Sequence, residues 1–293
     1  MIDIIDVYLQ YLSLSDYYCK LKIMNNKVDL GRNYLDRYFS FIRSKGRYTF
    51  TYDELKEQFA LSDAAITQSL SRVKKRGEIV QIRKGFYVII TPEYSKQGIL
   101  PPYLFIDDLM KSLNKPYYVG LLSAAALHGA AHQQPMEYFV IAQTPAPRSI
   151  DNKKLKISFF SKKNWEQTDI EQKATDAGYL NVSSPELTAL DILTYVDKIG
   201  LNRVVTVLQE LAQTMKASAL GKAAKHCLST PVIQRLGYIF DKILNEHKLA
   251  ESLQKELNNR TIVSVLLSVQ NQKKGETDQT WKVIVNMEIE SDL

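Results

Sequence analysis

A helix that ends in a cluster of cations is the first feature of this sequence that suggests a chemical role. It lies in the stretch LSDAAITQSLSRVKKRGEIVQIRKGFYVII, residues 61–90. Ile66, Leu70 and Val73 follow the spacing of one helical face, so the polar side chains between them are predicted to lie on the opposite face. That face carries short hydrogen-bonding groups followed by cations: Thr67, Gln68, Ser71, Arg72, Lys74, Lys75 and Arg76.

Such a face suits double-stranded DNA, which carries one phosphate per ~1.7 Å of its axis and admits a helix into its major groove. Amide and guanidinium groups pair bidentately with adenine and guanine, so we expect Gln68 and Arg72 to reach base edges. Thr67 and Ser71 are expected on bases or phosphates. The cations Lys74, Lys75 and Arg76 are expected on phosphates, where they add affinity without sequence information.

The elements around this helix predict a winged helix-turn-helix. Thr51 and Glu54 form a capping box, Ser62 caps the basic helix, and Gly77 ends it. The segments EIVQIR and FYVIIT are predicted strands joined at Lys84-Gly85, and Arg83 and Lys84 at their tip are predicted to touch the DNA backbone or minor groove. An earlier helix in RNYLDRYFSFIRSKG and a strand in YTFT complete the order of elements.

The charge of the chain is concentrated in its first third. Residues 1–100 hold 16 Lys+Arg against 11 Asp+Glu, whereas the remainder holds 22 against 21. The net charge of +5 in the first part indicates an anionic partner there. A solvated helix end that complements the helix dipole is an alternative interpretation of KKR, and winged helices also mediate protein contacts.

The composition predicts a cytoplasmic protein with a sizeable core. Hydrophobic residues make up 45% of the 293 residues, and the cysteines number two. The first residues, MIDIIDVYLQYL, lack a basic start, which argues against a signal peptide. No apolar run reaches the ~20 residues of a membrane span, so no membrane partner is expected.

The chain is predicted to be α+β, in four parts. Residues 1–29 are a helical extension, 30–91 the winged helix-turn-helix, 92–102 a Pro-bounded linker, and 103–293 a larger α+β domain with a mixed sheet and several helices. EYFVIAQT and KLKISFFS are predicted strands, and SSPELTALDILTYVDK a capped helix. TIVSVLLSV and WKVIVNMEIE are predicted to form a closing strand pair.

Other candidate sites are weaker, and we expect no catalytic residue, cofactor or metal. His128 and His132 have i, i+4 spacing, but the Glu that follows the first His of a zincin is Gly129 here. Asp107 and Asp108 are interpreted as solvated acidic residues. Glu186 is interpreted as an acid that complements a helix N-terminus. Tyr117 and Tyr118 are expected in surface or core packing.

Four segments in order carry a resemblance to a known family: SLSRVKKRGEIVQIRKGFYVI, YYVGLLSAAALHG, NVSSPELTALDIL and WKVIVNMEIE. Together they resemble the AbiEi antitoxins of the abortive-infection, type IV toxin–antitoxin systems, from about residue 32 to the end. Where the family commonly has Glu-Arg after Pro, this chain has Glu186-Leu187, so a basic residue is not assigned a role there.

The resemblance implies a winged helix that represses its own operon at inverted repeats, with possible self-association on DNA. It also implies a C-terminal domain that counters a nucleotidyltransferase-like toxin without a stable complex. Two other classes stay open: a ligand-sensing transcription factor with a small-molecule-binding C-terminal domain, and a nucleic-acid-processing enzyme. The absence of a recognisable catalytic motif argues against the enzyme.

Overall fold

The computed structural model describes residues 34–130, 137–272 and 274–289, and the predicted extension at 1–29 lies outside them. The chain forms two compact units that meet in sequence at Arg47 and Tyr48. In the first unit, helix α1 (Tyr34–Ser44) buries Leu35, Phe39 and Ile42. This is the helical spacing predicted for the segment.

The second unit begins with a strand, two helices and the predicted wing hairpin. Its elements here are β1 (Thr49–Thr51), α2 (Tyr52–Gln58), α3 (Asp63–Arg76), β2 (Ile79–Arg83) and β3 (Phe86–Ile89). The three strands form an antiparallel sheet in the order β1-β3-β2. Helix, strand, helix, helix and hairpin follow one another as predicted, and the order fits a winged helix-turn-helix.

Local capping explains why the two helices of the turn start and stop where they do. The Thr51 side chain accepts from the Glu54 amide, and the Glu54 carboxylate accepts from the Thr51 amide, which completes the predicted capping box. Ser62 caps α3 by accepting from the amide of Ala65. Gly77 ends α3 with φ of 78°, a left-handed conformation that favours glycine.

A mixed six-stranded sheet forms the centre of the second unit, with the order β6-β7-β5-β4-β9-β8. Its strands are β4 (Tyr117–Val119), β5 (Tyr138–Gln143), β6 (Ile150–Asn152), β7 (Leu155–Lys162), β8 (Ile170–Thr175) and β9 (Gly178–Ser183). The pairs β5–β7 and β4–β9 are parallel, and the other pairs are antiparallel. The predicted strands in EYFVIAQT and KLKISFFS are β5 and β7, and the α+β class is confirmed.

Helices lie before and between the strands of this sheet in the chain, and further helices follow its last strand. They are α4 (Ile106–Ser112), α5 (Leu121–Leu127), α6 (Pro185–Thr194), α7 (Val196–Ile199), α8 (Leu201–Ala212), α9 (Ala217–His226), α10 (Thr230–Tyr238), a π-helical turn (Ile239–Ile243) and α11 (His247–Leu257). In α6, residues 185–193 are all buried, so this helix is enclosed by other elements. No helix of the described residues has the length and apolarity to span a membrane.

The predicted closing strand pair forms, but its geometry differs from a simple hairpin. Strand β10 (Val265–Leu266) pairs with β12 (Val283–Val285) in parallel, and β11 (Glu276–Asp278) pairs with β12 antiparallel. The connection therefore supplies a third strand before the chain returns. Parallel neighbours need such a crossover, because a short turn reverses the chain direction.

The wing hairpin and the central sheet share hydrophobic contacts. Phe86 and Val88 of the hairpin belong to one buried cluster with Leu104, Leu109 and Ile157. Leu100, within the predicted linker, is 1% exposed and lies in the same cluster. The boundary at 92–102 stays a prediction, and cutting the chain there would expose this apolar surface to water.

Trp281 anchors the small C-terminal sheet against α10. Its side chain is 1% exposed, and its indole N–H donates to the Asp241 carboxylate at 3.0 Å. The Gln234 amide donates to the carbonyls of Trp281 and Val263, both at 2.9 Å. A Cβ atom placed on Gly237 would lie 1.9 Å from the Trp281 ring, so the ring needs a glycine beneath it.

We predict that Gly237→Ala lowers the free energy of unfolding by about 1–3 kcal/mol, because the added methyl group overpacks a buried ring. Gly221 is the matched control, since it is also helical and its added Cβ would meet Ser252 at an ordinary 3.8 Å. Gly221→Ala should be neutral or stabilise by up to about 1 kcal/mol through helix propensity. Urea unfolding of both variants measures the difference, and equal stabilities would contradict the assigned packing.

Candidate nucleic-acid interface

Helix α3 presents the polar face that the sequence predicts. Ile66, Leu70 and Val73 are buried on one side. The predicted contact residues on the other side are all exposed: Thr67, Gln68, Ser71, Arg72, Lys74, Lys75 and Arg76. The burial pattern therefore leaves these side chains open to a partner.

The exposed residues form two parallel rows along the helix. Thr67, Ser71 and Lys74 make one row, and Gln68, Arg72 and Lys75 the other, because residues three or four apart lie on the same face. From Thr67 to Lys75 the helix rises roughly 12 Å at ~1.5 Å per residue. A major groove is about 12 Å wide, so both rows fit within one groove crossing.

The acidic residues near the two ends of α3 are already in ion pairs. Lys56 pairs with Asp63 at 3.0 Å, and the hydrogen bond to Lys56 lowers the pKa of Asp63. Arg76 binds Glu78 bidentately, at 2.7 Å from Nε and 3.0 Å from Nη2. A phosphate contact by Arg76 would compete with Glu78, whereas Lys74 and Lys75 have no acidic partner among the described residues.

The two cations at the wing tip have different surroundings. Lys84 is exposed at the turn, beside Gly85 with φ of 78°. Arg83 instead donates to the carbonyl oxygen of Arg148 and lies over the Phe159 ring, 5.5 Å from its centroid. Burial lowers the pKa of Arg83. A DNA contact by Arg83 would require its side chain to leave this position.

The other residues singled out from the sequence serve structural contacts. His128 Nε2 lies 2.7 Å from the Ser183 carbonyl, and burial lowers its pKa; His132 lies outside the described residues. No cluster of three possible metal ligands occurs in the described part of the chain. Asp107 accepts from Tyr117 at 2.7 Å, and Asp108 accepts from Thr49 at 2.5 Å, so both are partnered rather than freely solvated.

The segment SSPELTALD is helix α6 with its N-cap, and its polar residues bind distant backbone and side chains. Ser184 caps the helix by accepting from the amide of Leu187. Glu186 is 6% exposed and accepts from the amide of Lys216 at 2.8 Å. Its carboxylate therefore joins α6 to the start of α9, a role beyond the predicted complement to a helix N-terminus.

Asp191 on the same helix forms a buried polar centre that sequence reasoning missed. It is 2% exposed, and it accepts from Tyr118 at 2.7 Å and from Lys162 at 2.8 Å. Burial raises the pKa of Tyr118 well above its ordinary value, and the neighbouring Asp191 adds to the shift. Surface or core packing was expected for Tyr118, and the structure buries it. Its partners lie 73 and 44 residues away along the chain.

Comparisons with known proteins match both parts of the chain to one family. Residues 118–242 match the AbiEi antitoxin C-terminal domain. Residues 36–90 match a family described as a transcriptional regulator, AbiEi antitoxin. The first match begins within β4 and contains the rest of the six-stranded sheet and α6, and the second contains α3 and the wing.

A solved structure shares the fold. The RV2827C protein from Mycobacterium tuberculosis superposes with a TM-score of 0.59 at 16% identity, covering 85% of this chain and 90% of that chain. No curated protein matches in sequence. The two family matches together span more than half of the residues, and they show that the chain belongs to the AbiEi-type antitoxins, toxin–antitoxin proteins with a role in transcriptional regulation.

Proposed function

We propose that this antitoxin binds operator DNA through α3 and represses its own operon, and that it separately counters a nucleotidyltransferase-like toxin. The observation that carries the DNA-binding part is the exposed double row on α3, with Gln68 and Arg72 at its centre. The adjoining acids Asp63 and Glu78 are already paired. The remaining cations are therefore available to phosphates.

The division of labour on this surface follows from side-chain chemistry. Gln68 and Arg72 read base edges, because their amide and guanidinium groups form paired hydrogen bonds. Lys74, Lys75 and Lys84 bind phosphates on either side of the groove. Thr67 and Ser71 lie between these groups and support either kind of contact.

Binding to inverted repeats would bring two copies onto one operator. A twofold operator places equivalent reading helices one helical turn apart, about 34–36 Å. Self-association is then expected on DNA. Changing the distance between the two repeats by half a helical turn should disrupt binding if the two copies bind as a pair. It should leave binding unchanged if they bind independently.

Neutralisation of a nucleotidyltransferase-like toxin is supported by the family. Residues 118–242 of the C-terminal region match the AbiEi antitoxin C-terminal domain. We place the neutralising activity in this region and expect it to act without a stable complex between toxin and antitoxin. A reading frame for a nucleotidyltransferase beside the gene would support the pairing.

A ligand-sensing regulator is the second candidate function. A cleft of about 520 Å³ is lined by Tyr94 and Tyr103 after the wing, and by Tyr138 and Leu155 on the sheet. The Tyr138 hydroxyl is buried without a hydrogen-bond partner among the described residues. A small molecule that releases the protein from its operator, and loses this effect in Tyr103→Ala, would favour this candidate.

The first prediction on DNA concerns affinity. Lys74→Ala/Lys75→Ala should weaken binding to all duplexes and reduce the slope of log K against log salt by about 1.8, near 0.9 per lost phosphate contact. The matched control is Lys248→Ala/Lys255→Ala, which removes two exposed lysines from α11. An unchanged slope in a salt titration of the first variant would remove these lysines from the interface.

The second prediction concerns specificity. Gln68→Ala or Arg72→Ala should each cost about 1–3 kcal/mol on the preferred operator and little on random DNA. Competition binding with operator and random duplexes measures the ratio. A loss of the same size on both kinds of DNA would make these residues phosphate contacts.

The third prediction separates the two activities in the full-length chain. Lys74→Ala/Lys75→Ala should relieve repression of a reporter behind the native promoter. It should still protect cells in which the toxin is expressed from an unrelated promoter, because its C-terminal region is unchanged. Reporter output and growth are measured together, with the α11 lysine variant as the control. Loss of protection alongside repression would contradict two separable activities.

A further inference from the structure

A small polar pocket at one end of the six-stranded sheet has no role in the functions described so far. Its volume is about 290 Å³. Four of its lining residues carry side-chain amides: Gln143, Asn164, Gln167 and Asn181. None of these amide groups hydrogen bonds to another residue in the described part of the chain, so all four keep free donors and acceptors.

The pocket is built on rigid elements as well as on a loop. Gln143 is the last residue of β5, and Asn181 lies within β9. Asn164 and Trp165 lie in the loop that follows β7, and Gln167 begins the short helical turn after it. Two of the amides therefore belong to strands of the sheet, and the other two belong to the segment that follows β7.

The Trp165 ring is held in place by the buried polar centre. It packs edge-to-face on Tyr118, with ring centroids 5.1 Å apart and planes at 81°. The Tyr118 hydroxyl is in turn fixed by Asp191 and Lys162. Trp165 is half-buried and lines the pocket, so part of its surface remains available.

We propose that this pocket binds a single unpaired nucleotide, either free or within a single strand. An amide offers a donor and an acceptor side by side, which matches the edge of a nucleobase. A tryptophan ring stacks on bases, and exposed Lys163 at the same pocket supplies a cation for the phosphate. The volume lies near the lower limit of ~300 Å³ for ligand pockets, which suits one nucleotide.

This inference goes beyond the proposed operator binding, since the amide and tryptophan residues of the pocket belong to the sheet and to the segment after β7, and none of the pocket residues belongs to α3. A duplex keeps its base edges paired, so a pocket of this kind selects bases that are free. The two sites are therefore tested independently of each other.

The experiment uses full-length Lys74→Ala/Lys75→Ala as the parent, which suppresses strand binding at α3. The probes are AMP, GMP, CMP and UMP, and single-stranded RNA and DNA tetranucleotides. Binding is measured by calorimetry and by tryptophan fluorescence. The chain has two tryptophans, and Trp281 is 1% exposed, so quenching reports on Trp165.

We expect saturable binding with quenching of Trp165. Gln143→Ala/Asn181→Ala should weaken it about tenfold or more, since hydrogen bonds to the base are lost. Trp165→Leu, followed by calorimetry, should weaken it similarly through lost stacking, and Trp165→Tyr should restore most of the affinity. The control Gln213→Ala removes an exposed amide outside the pocket and should bind like the parent. Thermal midpoints equal to that of the parent establish that each variant is folded.

Binding of mononucleotides would identify a free-nucleotide site, and binding of tetranucleotides alone would identify a single-strand site; both support the proposal. Absence of saturable binding of every probe at millimolar concentration would overturn it. So would equal affinities in Gln143→Ala/Asn181→Ala and Gln213→Ala. Operator binding by the unmodified chain is measured separately, so failure of one proposal is distinguishable from failure of the other.

Discussion

A buried carboxylate on an enclosed helix constrains the C-terminal part of this protein. Asp191 is almost wholly removed from water on α6, and an isolated ionised carboxylate in such a place is unfavourable by several kcal/mol. It is tolerated because Tyr118 and Lys162 both donate to it. The strand that carries Tyr118, the end of the strand that carries Lys162, and α6 must therefore meet in one arrangement. Hydrophobic packing alone would allow several arrangements of these elements.

The other polar groups of α6 strengthen the same arrangement. Thr188 shares a 2.6 Å hydrogen bond with the hydroxyl of Ser183, at the end of β9. Glu186 accepts from the amide of Lys216, the residue directly before α9. The first turn of the helix is therefore fixed both to the sheet and to the helices that follow. The buried polar centre around Asp191 also positions the Trp165 ring, because this ring packs on Tyr118.

The wing is tied to the sheet by polar and apolar contacts. Thr49 of β1 donates to Asp108 of α4, and Arg83 at the wing tip donates to the carbonyl of Arg148. Phe86 and Val88 pack in a cluster with residues of the central sheet. The hairpin that follows α3 is thus supported by the C-terminal part of the chain. If α3 and the wing bind DNA as proposed, substitutions far from α3 will alter that binding through the position of the wing.

Local features of this protein were readable from the sequence, because they depend on neighbours within one turn or one strand pair. The caps at Thr51 and Ser62, the stop at Gly77 and the buried row Ile66, Leu70 and Val73 all follow from short-range spacing. The strands in EYFVIAQT and KLKISFFS, the order of a winged helix-turn-helix and the α+β class follow in the same way.

Tertiary structure decided which distant residues meet. Three features join residues that are tens of positions apart. They are the contact of Arg83 with Arg148, the partners of Asp191, and the convergence of four amides beside Trp165. Their meeting depends on the strand order β6-β7-β5-β4-β9-β8, which no local pattern encodes. The loop SKKNWEQ did carry a signal, a tryptophan among lysine and amide side chains. Its amide partners, Gln143 and Asn181, are supplied by strands that only the folded sheet brings beside it.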